Sequence, residues 1–326
     1  SFGGAAHEDD PHDRIGWDNP IPGIWTGAVS SAWNNSGNWS PARVPTSIDV
    51  VSIYDEPNDP FIAGVTATAR VVSVFGSGIV TINTDGTLNL SPARGSNGIY
   101  NEGTINNTGD INISPLSGQP NFYGIRNQGT FTNKLGGVID IVGMNSHGIW
   151  NESGGSFTNQ SGGTVVIGTS SSPVGDDGIR NDAGSTFANT GTITIENTNN
   201  LGVYNFGTFN NNSNSNLTIS DPGTIGIFNE TGTFTNIGTI NLTGTIPANG
   251  LINEASFNNN GGSINIGSET STVGNHGLLN TATGEFTNTG TLNIRNTANN
   301  GLRTDDDFNN NTNGSIFIDQ TGTEGI

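Results

Sequence analysis

Arg126, Arg180 and Arg303 each stand two residues after a glycine, in a chain of 326 residues with only nine Lys and Arg. The same position elsewhere holds Tyr100, Trp150, Tyr204 and Phe228, and two residues further on come Glu102, Gln128, Glu152, Asp182 and Glu230. If these positions share a face, guanidinium groups alternate with aromatic rings, which suits cation–π contact, and the acids can pair with the arginines. Flat rings edged by hydrogen-bonding groups also suit a sugar, so Tyr100, Arg126, Trp150, Arg180 and Tyr204 are candidates for glycan or lateral contact. A polysaccharide lyase or hydrolase would add a His or Lys base, or a carboxylate pair set apart from a regular column. Neither is visible. The acids recur as a column, while His7, His12, His147 and His276 are scattered between the N-terminal stretch and inserted segments. No catalytic residue is assigned, and a protein without enzymatic activity is expected.

Other chemistries are weaker. His7, Glu8, Asp9, Asp10, His12 and Asp13 bunch together, as do Asp305, Asp306 and Asp307. Such oxygen-rich groups suit calcium, but no EF-hand or nonapeptide calcium repeat accompanies them, so solvated acidic segments without metal or cofactor are expected. Pairs such as Thr130 with Thr132, Ser156 with Thr158 and Thr233 with Thr235 resemble an ice-binding array, yet Ala188, Asn210, Asn258, Glu285 and Asp307 interrupt it, and threonine is a good exposed strand residue anyway. A net charge of −19 argues against a nucleic-acid partner, which needs Lys and Arg to neutralise phosphates. There is no cysteine, and no apolar run is long enough to insert in a membrane.

The elements that must position these residues follow from a repeat. Nine units begin at Gly98, Gly124, Gly148, Gly178, Gly202, Gly226, Gly250, Gly277 and Gly301; six are 24 residues long, and in the longer ones the extra residues precede the next glycine, as in TSSSPVGDD and SETSTVGNH. Each unit has three segments of period two, which is strand spacing. One interior column is Ile105, Phe131, Phe157, Phe187, Phe209, Phe234, Phe257, Phe286 and Phe308. Asn101, Asn127, Asn151, Asn181, Asn205, Asn229, Asn253 and Asn280 form a second, and Asn107 to Asn310 a third. An inward amide can bond the same amide one coil away, so these columns read as structural ladders.

Three strands per unit predict an all-β chain: a single parallel β-helix of nine to ten three-stranded coils of about 24 residues, right-handed by the general crossover preference. Only 31% of residues are hydrophobic, which suffices for a thin rod. The expected organisation is an extended acidic tail (1–24), a Trp-rich cap (25–75) and the array (76–326), with GIVTINTDGTLNL at Gly78 read as one earlier, shorter coil.

Trp25 to Ile53 carries W-T-G, W-N, G-N-W, V-P and D-V-V-x-I. This resembles the opening of secreted bacterial surface proteins, notably the β-helical adhesin-like proteins of Bacteroidota and, more loosely, autotransporter passenger repeats. The resemblance implies an exported structural protein and carries no active-site residue; the start at SFGG rather than Met fits a processed form. The final Gly325-Ile326 begins another unit. That leads to an expected head-to-tail homopolymer, an extracellular filament for adhesion or matrix, in which Trp17, Trp25, Trp33 and Trp39 of one copy cover Phe308, Ile316, Ile318 and Ile326 of the next. A monomeric adhesin rod binding glycans is the alternative, with a lyase, hydrolase or ice-binding β-helix less favoured.

Overall fold

The computed structural model describes residues 22–93, 95–116 and 122–325. These form a parallel β-solenoid with no α-helix. Three sheets run its length. The first holds 13 strands, twelve of them in parallel succession from Gly23–Trp25 to Leu302–Thr304 plus the antiparallel Trp39–Ser40. The second runs from Phe61–Ile62 to Phe308–Asn310, and the third from Thr66–Ala69 to Ser315–Thr321. Within most strands buried residues alternate with more exposed ones, as in Thr130–Asn133, so every second side chain is committed to the interior.

The register stacks like on like. Phe131 pairs with Phe157, Phe157 with Phe187, and so on to Phe286 with Phe308. Their rings lie 4.6 to 5.1 Å apart, and Phe209 is fully buried. Both asparagine columns are ladders in which each Nδ2 donates to the Oδ1 one coil toward the C-terminus, for example Asn181 to Asn205 (2.8 Å) and Asn189 to Asn211 (2.9 Å). Each such bond adds about 1 kcal/mol net, whereas an unpaired buried amide costs more. The first ladder shows its own end: the coil before Asn101 offers Val74 in register, and Asn101 Oδ1 is buried without a partner among the described residues.

The glycine that opens each unit is required by close approach. A methyl at Gly202 would lie 2.4 Å from Ile219 Cγ2 and 2.5 Å from the Gly226 carbonyl oxygen. No other residue fits without shifting the neighbouring coil.

Two expectations are corrected. The coils number twelve rather than nine to ten, because segment 25–75 is itself wound into the solenoid: Val50–Ile53 and Val71–Val74 are first-sheet strands. Gly78 opens a second-sheet strand, Ile79–Ile82, which pairs with Thr104–Asn107, so its match to the unit start is displaced by one strand. The early coils use Val72 and Val74 where later ones use isoleucine and asparagine, and their spacing is uneven. Val51 pairs with Val72, 21 residues on, and Val72 with Ile99, 27 on.

Three of the tryptophans expected at the assembly contact face inward. Trp25, Trp33 and Trp39 are 0%, 1% and 3% exposed, and Trp39 meets the other two edge-on at 4.9 and 4.8 Å. The indole N–H of Trp25 donates to the Asn58 carbonyl (2.7 Å) and that of Trp39 to the Trp33 carbonyl (2.8 Å). They close the N-terminal coil from inside and offer no outward apolar face. Trp17, Ile326 and the acidic group from His7 to Asp13 lie outside the described residues. Phe308, Ile316 and Ile318 pack half-buried against the core.

Candidate binding site on the first sheet

The outward column predicted from the sequence is in register on the first sheet: Tyr100 beside Arg126, Arg126 beside Trp150, Trp150 beside Arg180, and Arg180 beside Tyr204. The sheet spacing places these side chains about 4.8 Å apart, which is the distance at which a guanidinium slides between rings. Arg126 sits 5.1 Å from both the Tyr100 and Trp150 rings and pairs with Glu152 at 2.9 Å. Burial works against its charge, but Glu152 outweighs that and holds the guanidinium above its ordinary pKa. Arg180 repeats the device with Tyr204 (5.4 Å), Phe206 (4.9 Å) and Asp182 (2.8 Å). The Trp150 indole donates to the other oxygen of Asp182 (2.8 Å). Burial and the bond to Glu102 push the Tyr100 hydroxyl up to about 12, so it remains a donor, 2.5 Å from that carboxylate.

Arg303 lies in the same column and pairs with Asp305, but both are exposed. Asp306 and Asp307 are exposed as well. Threonines of the second sheet are in register but interrupted, with Thr158 beside Ala188 and Ala188 beside Asn210.

The column alone is a strip; two corner segments turn it into a groove of about 560 Å³. Gly95 to Asn97 form one part of the wall and Phe122 with Tyr123 another, against Tyr100, Arg126 and Trp150. Phe122 is 50% exposed. Tyr123 meets Trp150 edge-on at 4.7 Å and stacks on His147 at 5.4 Å. Two groove residues carry buried polar atoms with no partner among the described residues, Asn97 Oδ1 and Arg126 Nε.

Asn97 and Tyr123 each precede a unit-opening glycine, where residue type changes from coil to coil, and Phe122 lies in the extra length of its unit, so no column of like residues marks them. The signal was a unit of 26 residues, Gly98 to Gly124, whose extra length ends in Asn-Phe-Tyr. His147, by contrast, was set aside as scattered, yet it stacks between Tyr123 and the paired acids Asp176 and Asp177, all just before unit-opening glycines. Burial pushes the Asp177 carboxyl up to about 7 and the His147 imidazole down to about 4. Among the described residues no helix is long and apolar enough to cross a membrane.

A family model described as a domain of unknown function (DUF8693) matches residues 24–117. That span takes in the Trp25–Ile53 motif and the first coils, including Asn97 and Tyr100. No curated protein matches the chain.

Proposed function

We propose that this protein is an extracellular surface rod that binds a neutral glycan in the groove bounded by Tyr100, Phe122 and Trp150. The observation that carries this is the pairing of exposed aromatic surface with unpartnered polar atoms in one concavity. Buried polar groups normally have partners, and Asn97 Oδ1 and Arg126 Nε have none among the described residues; a hydroxyl group seated deep in the groove would supply one, while the rings take the ligand's apolar faces. Convergent polar groups in a mostly apolar cleft are the usual form of a small-ligand site. A neutral sugar fits better than an acidic one because Glu152 already compensates Arg126 and the chain's net charge of −19 repels polyanions.

An extracellular setting is supported by the resemblance of Trp25–Ile53 to secreted bacterial surface proteins. With Trp25, Trp33 and Trp39 spent inside the first coil, recognition belongs on the flank of the rod rather than at its end. Among the described residues that line the groove there is no carboxylate and no histidine, so binding without turnover is proposed. The test is a glycan array followed by titration calorimetry. Neutral oligosaccharides should bind, and Phe122→Ala and Asn97→Ala should each weaken binding at least tenfold while leaving the melting temperature within a few degrees. Undiminished binding by both variants, or a preference for uronic-acid polymers, would overturn this reading.

A further inference from the structure

The third unit is the longest, 30 residues from Gly148 to Gly178, and its insertion ends in Asp176-Asp177. The parallel stacking brings these acids against His147 of the preceding coil. His147 Nδ1 lies 3.4 Å from Asp177 Oδ2 and 3.6 Å from Asp176 Oδ2, and the three ligand atoms all fall within 4.8 Å of one another. His147 is 7% exposed and Asp177 1%; Asp176 is open to solvent, with 41% of its side chain exposed.

We propose that His147, Asp176 and Asp177 bind a divalent transition-metal ion of the zinc type. Four-coordinate zinc with bonds of about 2.0 Å has neighbouring ligand atoms about 3.3 Å apart, which is close to both separations from Nδ1. The backbone N–H of Asp177 donates to Nδ1 at 3.3 Å, so Nδ1 is the unprotonated nitrogen; a metal bound there takes the place of this long hydrogen bond. One side chain, Asn200, bonds both carboxylates. Asn200 Nδ2 donates to Asp176 Oδ1 (3.1 Å) and to Asp177 Oδ1 (3.0 Å), and the Leu201 N–H adds a bond to Asp177 Oδ1 (3.2 Å). Thr224 in turn donates to Asn200 Oδ1 (3.1 Å), fixing the amide. The far oxygens are therefore held, and the near ones face the imidazole. Outer partners of this kind orient metal ligands and raise affinity.

Among the described residues no Lys or Arg forms an ion pair with Asp176 or Asp177. Arg180 acts on the cluster through space, favouring a neutral imidazole and a charged Asp177, while its Nε is bound to Asp182 at 2.8 Å. Imidazole plus two carboxylates favours zinc, manganese or cobalt over calcium, which takes six to eight oxygens. The open Asp176 side leaves the fourth position to water. Through Tyr123, which stacks on His147 and also lines the groove, the site adjoins the glycan site, but it stands independently of that reading.

The experiment uses the full chain carrying His7→Ala and His12→Ala, so that the N-terminal histidines do not compete. Co2+ titration should give one equivalent of visible absorption typical of four-coordinate cobalt, and Zn2+ should abolish it by displacement. Zn2+ should also raise the melting temperature, since a ligand of the native state stabilises it. Asp176→Asn, at the solvent-open carboxylate, should melt like the parent without metal yet bind Zn2+ at least tenfold more weakly; His147→Gln should do the same. Equal Zn2+ affinity in the parent and Asp176→Asn would overturn the proposal. So would absence of the cobalt spectrum, or an equal response to Ca2+; in those cases imidazole and carboxylate simply share a proton.

Discussion

At Asp49 the fully buried carboxylate is held by one guanidinium. Arg43 donates to both of its oxygens at 2.7 Å, and Thr46 adds its backbone N–H and hydroxyl. The Arg43 bonds, opposed by burial, bring the Asp49 carboxyl down from 3.8 to about 2. A depressed acid contributes stability above its unfolded pKa and loses it as pH falls through the folded one. The Asp49 contribution should therefore be complete above 3.8 and disappear toward about 2. Asp49→Asn should cost on the order of 1–2 kcal/mol at neutral pH, less than the shift alone implies because Arg43 is solvent-screened. Denaturant melts from pH 7 to pH 2 check this: the gap between parent and variant should close on the acid side. A gap constant with pH would mean that Asp49 acts through packing alone.

The coil, as an element, is specified by three interior demands acting together: an apolar stack, two amide ladders and a glycine at the corner before the first strand. The corner is the least forgiving. Gly202 is in contact range of Ile219 within its own coil and of the Gly226 carbonyl in the next, so Gly202→Ala must push two coils apart or displace the isoleucine. Overpacking of this kind costs about 1–3 kcal/mol, and the cost should appear as a lower denaturant midpoint with the slope unchanged. A midpoint equal to that of the parent would show that the corner relaxes and that glycine serves some other purpose there. The column was legible in the sequence as punctuation, but its cause was not: crowding between coils, which a single unit cannot display.

For the whole molecule, twelve stacked coils at about 4.8 Å give a rod about 58 Å long, each coil contacting only its neighbours. Solution X-ray scattering on the full chain should give the cross-section profile of a thin rod. Its apparent length should stay constant with protein concentration if recognition lies on the flank, as proposed. Growth of that length with concentration, with an axial repeat matching one rod, would return the end-to-end filament to first place, and contacts other than Trp25, Trp33 and Trp39 would then have to carry it.

Strand period, coil length, the phenylalanine stack and both asparagine ladders could be read from the sequence, because a solenoid repeats one local environment and places like residues at like positions. The pairing of Phe131 through Phe308 needed no more than alignment of the units. The same logic failed where the repeat is degenerate. Val72 and Val74 bury as well as isoleucine and asparagine do, so the early coils and the displaced match at Gly78 were hidden. It also could not reach the sites. The Tyr100, Arg126 and Trp150 strip was legible as a column, but its conversion into a groove depends on Asn97, Phe122 and Tyr123, and His147 meets Asp177 because the residues before successive unit-opening glycines stack in register. Asn97, Tyr123, His147 and Asp177 share a repeating position, the one before each unit-opening glycine, but their residue types differ from coil to coil, so no column of like residues marks them. Only the tertiary structure, by setting how far each insertion reaches across its neighbours, decides what they face.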